Sequence, residues 1–110
     1  MALDLTPKQL AIVRTLLARR VPDREVRAFG SRVTGRAWRY SDLDLVVMGS
    51  ERLPDITLAR LRADLEDSDL PFRVDLIEEP ELPAAWAERF AAESEPVVAV
   101  PATAHEGAPT

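Results

Sequence analysis

The apolar positions of the chain change their spacing several times, and each change marks an element. Leu10, Val13, Leu16 and Leu17 recur at helical spacing behind Thr6-Pro7, a capping residue followed by a proline suited to the first turn. Arg19 and Arg20 fall near the end of that helix, where positive charge is favoured, and Val21-Pro22-Asp23 stops it. Residues 25–29 read as a first strand with Gly30-Ser31 at its end, residues 31–34 as a short helix closed by Gly35, and residues 36–40 as a loop. The run Leu43-Asp44-Leu45-Val46-Val47-Met48 is a second strand. Ile56, Leu58, Leu61 and Leu65 give a second amphipathic helix, and residues 72–77 a third strand. Leu82, Trp86 and Phe90 mark a helix through about residue 93, with Trp86 and Phe90 expected in the core, and residues 96–100 are a short last strand. Helices alternating with strands predict an α/β (α+β) fold, a small mixed β-sheet flanked by helices. Residues 101–110, rich in Ala, Pro, Thr and Gly, are expected to be a disordered tail.

Composition narrows the class. With 110 residues, 46% apolar and 30% charged, the chain has the makings of one globular domain with a modest core. It has no cysteine, which excludes disulfides and thiolate metal sites and is compatible with a reducing cytoplasm. Asp4, Lys8 and Arg14 interrupt any signal-peptide pattern, and no apolar run approaches the roughly 20 residues of a membrane span. The net charge of −5 is uneven. Eight arginines between Arg14 and Arg39 face only Asp23 and Glu25, whereas sixteen acids from residue 40 onward outnumber five arginines. An acidic chain with one basic segment argues against direct nucleic-acid binding but allows a local anion site. Most of those arginines read equally well as solvated helix and loop charges.

The chemistry sits where the pattern is broken. Asp44 interrupts an apolar strand, which is costly unless the carboxylate is paired or holds a cation. Asp42 lies two positions earlier and so shares its face, while Leu43 and Leu45 point into the core. A third acid, Asp75, stands in the run Arg73-Val74-Asp75-Leu76-Ile77. If strand pairing places it beside the other two, the three carboxylates suit a pair of magnesium ions, hard cations that keep part of their shell for water and phosphate. Gly30 permits close approach of a phosphate, and Ser31 at a helix start offers an N–H and a hydroxyl. Arg32, Arg36 and Arg39 are candidates to reach phosphate oxygens. Each piece alone has a plainer reading: Gly-Ser as a turn, Asp42 as a turn cap, Asp75 as an ion-pair partner for Arg73. Their conjunction favours metal-dependent phosphoryl or nucleotidyl transfer.

The run Gly30-Ser31-Arg32-Val33-Thr34-Gly35, ten residues between Ser31 and Asp42, then Asp42-Leu43-Asp44-Leu45 and Val74-Asp75-Leu76 resembles the minimal nucleotidyltransferases of the DNA polymerase beta superfamily. It is most similar to those members that act as antitoxins beside a HEPN-type RNase toxin. The resemblance implies a nucleotidyltransferase domain over residues 1–100, Gly30 and Ser31 at the nucleotide, and Asp42, Asp44 and Asp75 as catalytic and metal-binding acids. It also implies ATP as donor, Mg2+ as cofactor, a tyrosine hydroxyl of the toxin as AMP acceptor, and a cytoplasmic protein. Two alternatives stand beside it: neutralisation of the toxin by binding alone, and adenylylation of a small molecule such as an antibiotic, although the chain lacks the further helical domain such enzymes usually carry. Self-association is left open. Trp38 and Tyr40, in the loop before Asp42, are read as packing or partner-contact residues or as a stack for a nucleobase. Glu78 and Glu79 are expected to be solvated, and His105 falls in the tail.

Overall fold

The computed structural model describes residues 3–99, and the expected tail over 101–110 lies outside them. Helix α1 (Pro7–Arg20) opens with a reciprocal capping box: the Gln9 N–H donates to the Thr6 hydroxyl (3.1 Å), and the Thr6 N–H donates to the Gln9 side-chain carbonyl (3.0 Å). Strand β1 (Val26–Phe29) runs into the four-residue helix α2 (Ser31–Thr34), which Gly35 ends in the left-handed conformation. Strand β2 (Leu43–Val47), helix α3 (Asp55–Glu66) and strand β3 (Val74–Glu78) follow. Two single-turn 3-10 segments, Glu79–Glu81 and Ala84–Trp86, lead into helix α4 (Ala87–Glu93) and strand β4 (Glu95–Val98).

The four strands form one mixed sheet in the order β3-β2-β1-β4. β1 is antiparallel to both β2 and β4, and β2 is parallel to β3. The register sorts the side chains into two faces. Val26 pairs with Val47, Ala28 with Leu45, Leu45 with Leu76 and Leu43 with Val74, and these residues share one core with Val13 and Leu17 of α1 and Leu58, Leu61 and Leu65 of α3. Each fully buried Leu or Val there contributes roughly 1.5–3 kcal/mol of burial free energy. Arg20 ties the two helices with a fork to Asp64 (2.7 and 3.3 Å). The opposite face carries the row Phe29–Asp44–Asp75 and, one step along, Arg27–Val46–Ile77. Phe90 of α4 packs on Phe29 and Val46, but α4 has only seven residues and leaves the β2–β3 edge of this face uncovered.

Three expectations need correction. Ile56 is 57% exposed, because it lies about 200° round the helix from Leu58 and so off the stripe of Leu58, Leu61 and Leu65. The helix expected from Leu82 onward begins only at Ala87, since Pro80 and Pro83 break the backbone into 3-10 turns. Trp86 therefore does not enter the core and is 47% exposed, whereas Phe90 does. Glu78 is buried rather than solvated: its carboxylate accepts the Leu53 N–H (2.6 Å) and lies 3.7 Å from Arg52 Nε. The neighbouring Glu79 is exposed and accepts the Gly49 N–H (2.8 Å).

Candidate active site

Strand pairing brings the expected acids together. Asp44 and Asp75 are direct partners on the parallel strands β2 and β3, and Phe29, the residue before Gly30, is the partner of Asp44 on the other side. The end of β1, the start of β2 and the start of β3 thus lie at one edge of the sheet. The Asp44 carboxylate stands directly over Gly30: a β-carbon added there would fall 2.5 Å from Asp44 Oδ2. Gly30 has φ +90°, a conformation in which glycine alone is unstrained.

The electrostatics show a surplus of negative charge. Partial burial pushes the Asp44 carboxyl up to about 6, with the negative charges of Asp75 and Asp42 adding to the effect, and the Asp44 and Asp75 carboxyls lie within hydrogen-bonding reach of each other. Arg73 offsets part of this charge. Its Nη2 donates to Asp42 Oδ2 (3.0 Å) and its Nε lies 3.5 Å from Asp75 Oδ1, and the bond to Asp42 raises the Arg73 pKa further. The ion pair with Arg73 that the sequence allowed for Asp75 is therefore present, and it sits among the acids rather than in their place.

The donor set fits a divalent cation chemically: three hard carboxylates, one of them with its pKa raised by partial burial and by the charges of the other two. Among the described residues, no three acidic or imidazole groups already stand in a metal-binding arrangement.

Gly30 and Ser31 line a cavity of about 530 Å³ with Thr34, Arg36, Arg89 and Glu93. Arg36 thus lines the cavity beside the Gly30-Ser31 turn, and Arg89, from the far end of the sequence, joins it. Arg89 is partly neutralised by Glu93 at 3.7 Å, whose Oε1 is buried without a hydrogen bond. Arg39 instead lies over the Tyr40 ring (5.7 Å). Trp38 and Tyr40 form an edge-to-face pair (5.3 Å), both at least half exposed, so neither packs in the core.

Arg32 overturns the expectation of a phosphate contact. It is 4% exposed, and its guanidinium donates to the carbonyls of Ser41 (2.9 Å), Asp4 (2.9 Å), Arg39 (2.9 Å) and Trp38 (3.4 Å) while stacking on Phe72 at 3.9 Å. Burial lowers its pKa. The residue after Ser31 therefore pins the carbonyl of the residue before Asp42, and so fixes the phosphate-side turn relative to the acids. Arg32→Leu leaves those carbonyls without their donor and should destabilise the fold by about 2–4 kcal/mol in urea titration. Arg32→Lys, which cannot reproduce the fork, should recover less than half of that. Arg14, Arg20, Arg24 and Arg27 are likewise held by intramolecular partners, which accounts for much of the basic segment.

A second cavity, of about 340 Å³, adjoins the acids on the open sheet face. Asp44, Asp75 and Gly30 lie at one end, and its walls are Phe29, Val46, Ile77, Leu82 and Trp86. Alternate positions on β2 and β3 are apolar, but nothing in the sequence marks Trp86 as stopping short of them. Its ring rests 5.8 Å from that of Phe29.

Residues 10–98 match the nucleotidyltransferase domain family. The probable protein adenylyltransferase MntA of Haemophilus influenzae is 50% identical over 76 residues, which cover 69% of this chain and 67% of that protein. Among solved structures, a toxin–antitoxin complex with AMP-PNP superposes with TM-score 0.67 at 21% identity, over 88% of this chain and 78% of the other. The MNT antitoxin complex with the tri-AMPylated HEPN toxin of Shewanella oneidensis superposes with TM-score 0.59 at 22% identity, over 81% and 68%. At those identities the solved structures establish the shared fold. The family match and the Haemophilus relative carry the assignment: the chain belongs to the nucleotidyltransferase domain family.

Proposed function

We propose that this chain transfers AMP from ATP to a tyrosine hydroxyl of a HEPN-type RNase toxin and is the antitoxin of that pair, acting in the cytoplasm. The observation that carries the reading is the in-register pair Asp44–Asp75 on adjacent strands, with Asp44 set over the glycine that starts α2. The name of the Haemophilus relative, a probable protein adenylyltransferase, and the AMP-PNP and AMPylated-toxin complexes among the structural neighbours support the choice of donor and acceptor. Among the described residues, no helix is long and apolar enough to cross a membrane.

Gly30 and Ser31 receive the β- and γ-phosphates, the serine through its N–H and hydroxyl, and Arg36 adds charge. Asp42, Asp44 and Asp75 hold Mg2+, which when bound supplies positive charge to the α-phosphate and the leaving pyrophosphate. Asp75 lies on the strand farthest from the phosphate turn and takes the proton of the attacking hydroxyl.

Incubation of the wild-type protein with Mg2+, ATP and the cognate toxin should raise the toxin's intact mass by one or more AMP units. The double variant Asp42→Asn/Asp44→Asn should give none and fail to neutralise the toxin in cells at equal expression. An unchanged toxin mass with the wild-type protein overturns the proposal. Full neutralisation by the double variant means that covering the toxin is sufficient.

A further inference from the structure

We infer that the apolar slot beside the acids, walled by Phe29, Val46, Ile77, Leu82 and Trp86, seats the aromatic ring of the acceptor, with its hydroxyl directed at Asp75. The inference rests on the transferase reading above and adds where the acceptor binds. In the order β1, β2, β3 the sheet presents the phosphate turn, then Asp42 and Asp44, then Asp75. Neighbouring strands are about 4.8 Å apart, so these stations span roughly 10 Å. In phosphoryl transfer the attacking and leaving oxygens lie roughly in line across the phosphorus. With pyrophosphate leaving on the β1 side, the nucleophile enters from the β3 side; the slot runs across all three strands, from Phe29 and Gly30 to Asp75 and Ile77, and its Asp75 end meets that approach.

The lining decides what kind of group fits. Asp44 and Asp75 stand at one end, and apart from Gly30 the other lining residues are aliphatic or aromatic. A phenol has one polar atom, at the tip of a flat apolar ring, and matches that polarity. A purine carries polar atoms around its whole edge, and those facing the aliphatic walls would lose their hydrogen bonds to water without replacement. A volume of about 340 Å³ is ample for one ring and its methylene, so polarity rather than size makes the distinction. Trp86 and Phe29, inclined at 38° to each other, supply aromatic surface beside the ring. In the step this arrangement serves, the phenol oxygen forms its bond to the α-phosphorus as the bond to the bridging oxygen breaks. Pyrophosphate departs with that electron pair, and the phenolic proton passes to the Asp75 carboxylate.

The test separates acceptor from donor. Trp86→Ala should raise KM for the toxin about tenfold while kcat and the calorimetric Kd for ATP stay at wild-type values, and Trp86→Phe should restore most of the loss. Trp86 is half exposed, so the variant folds; a Leu82→Ala variant should show the same split. Weaker ATP binding with an unchanged toxin KM assigns the slot to the nucleobase and overturns the inference, as does no change in either constant. A second measurement does not depend on transfer. In a Trp38→Phe background, Trp86 fluorescence should respond saturably to N-acetyl-tyrosinamide and not to adenosine. If the wild-type protein transfers nothing to the toxin, the transferase reading fails while this titration still decides the slot: saturation by the phenol supports it, and no response or a response to adenosine alone refutes it.

Discussion

Asp44→Asn should lose AMP transfer by about three orders of magnitude and, in the same molecule, gain stability at neutral pH. The loss follows from removing one of the carboxylates proposed to hold Mg2+, whose charge would supply several kcal/mol to the transition state. The gain follows from the environment of Asp44. Its carboxyl is raised from 3.8 to about 6 by partial burial and by the charges of Asp75 and Asp42. The fold therefore favours the protonated form. That contribution is fully present below pH 3.8 and is lost as pH rises through about 6, where the carboxylate must ionise among its neighbours. A shift of that size corresponds to about 3 kcal/mol, and solvent screening at this partly exposed site leaves about 1–2 kcal/mol. Asparagine has the same shape, carries no charge and can donate to Asp75. Without metal at about pH 7.5, its urea midpoint should exceed that of the wild type by roughly 0.5–1 M, and the difference should vanish near pH 4. Saturating Mg2+ should stabilise the wild type and not the variant. An asparagine variant no more stable than the wild type at neutral pH would mean that the acids do not strain the metal-free fold.

How much of this was legible in the sequence depended on the kind of contact involved. Backbone periodicity put Asp42 and Asp44 on one face and Leu43 and Leu45 on the other, because a strand's geometry fixes that alternation locally. The spacing of the Thr6 cap, the Gly30-Ser31 turn and Gly35 was equally local, and the structure has all three. That Asp75 pairs with Asp44 needed only a parallel crossover through α3. What could not be read was the destination of long side chains. Arg32, Arg36 and Arg39 looked alike in the segment after Gly30, yet Arg32 is drawn inward by carbonyls of residues 4, 38, 39 and 41 that meet only in the folded chain. Trp86 stays outside because two prolines shorten the helix meant to bury it, and Glu78 goes inside because the Leu53 N–H waits there for an acceptor. Hydrophobic spacing shows which face a residue takes but not how far the covering element extends, so the open edge beside Asp44 and Asp75 was invisible until α4 proved to be short.

Gly30→Ala and Gly35→Ala compare two glycines of positive φ that differ in ψ and in their neighbours. Gly35 (φ +83°, ψ 14°) is left-handed helical, where an alanine costs roughly 1–2 kcal/mol of stability, whereas Gly30 (φ +90°, ψ −154°) lies in a region essentially reserved for glycine, where the cost reaches about 3 kcal/mol. Around Gly35 nothing lies within 4 Å of an added β-carbon, and the effect should end there. At Gly30 the added carbon falls 2.5 Å from Asp44 Oδ2, inside van der Waals contact. The clash is with the far end of a side chain, so the molecule can relieve it by turning the Asp44 carboxylate away. Gly30→Ala should therefore unfold at a moderately lower urea concentration than Gly35→Ala, and the two should differ far more in rate. Gly35→Ala should keep most of its transfer activity, while Gly30→Ala should fall about 100-fold or more, since displacing a catalytic group by 1 Å costs that much. Mg2+ affinity measured by calorimetry should fall with it in Gly30→Ala alone. Equal losses of activity in the two variants would show that the close approach of Asp44 to Gly30 plays no part in catalysis. A much larger stability loss in Gly30→Ala would show that the strand end, rather than the carboxylate, gives way.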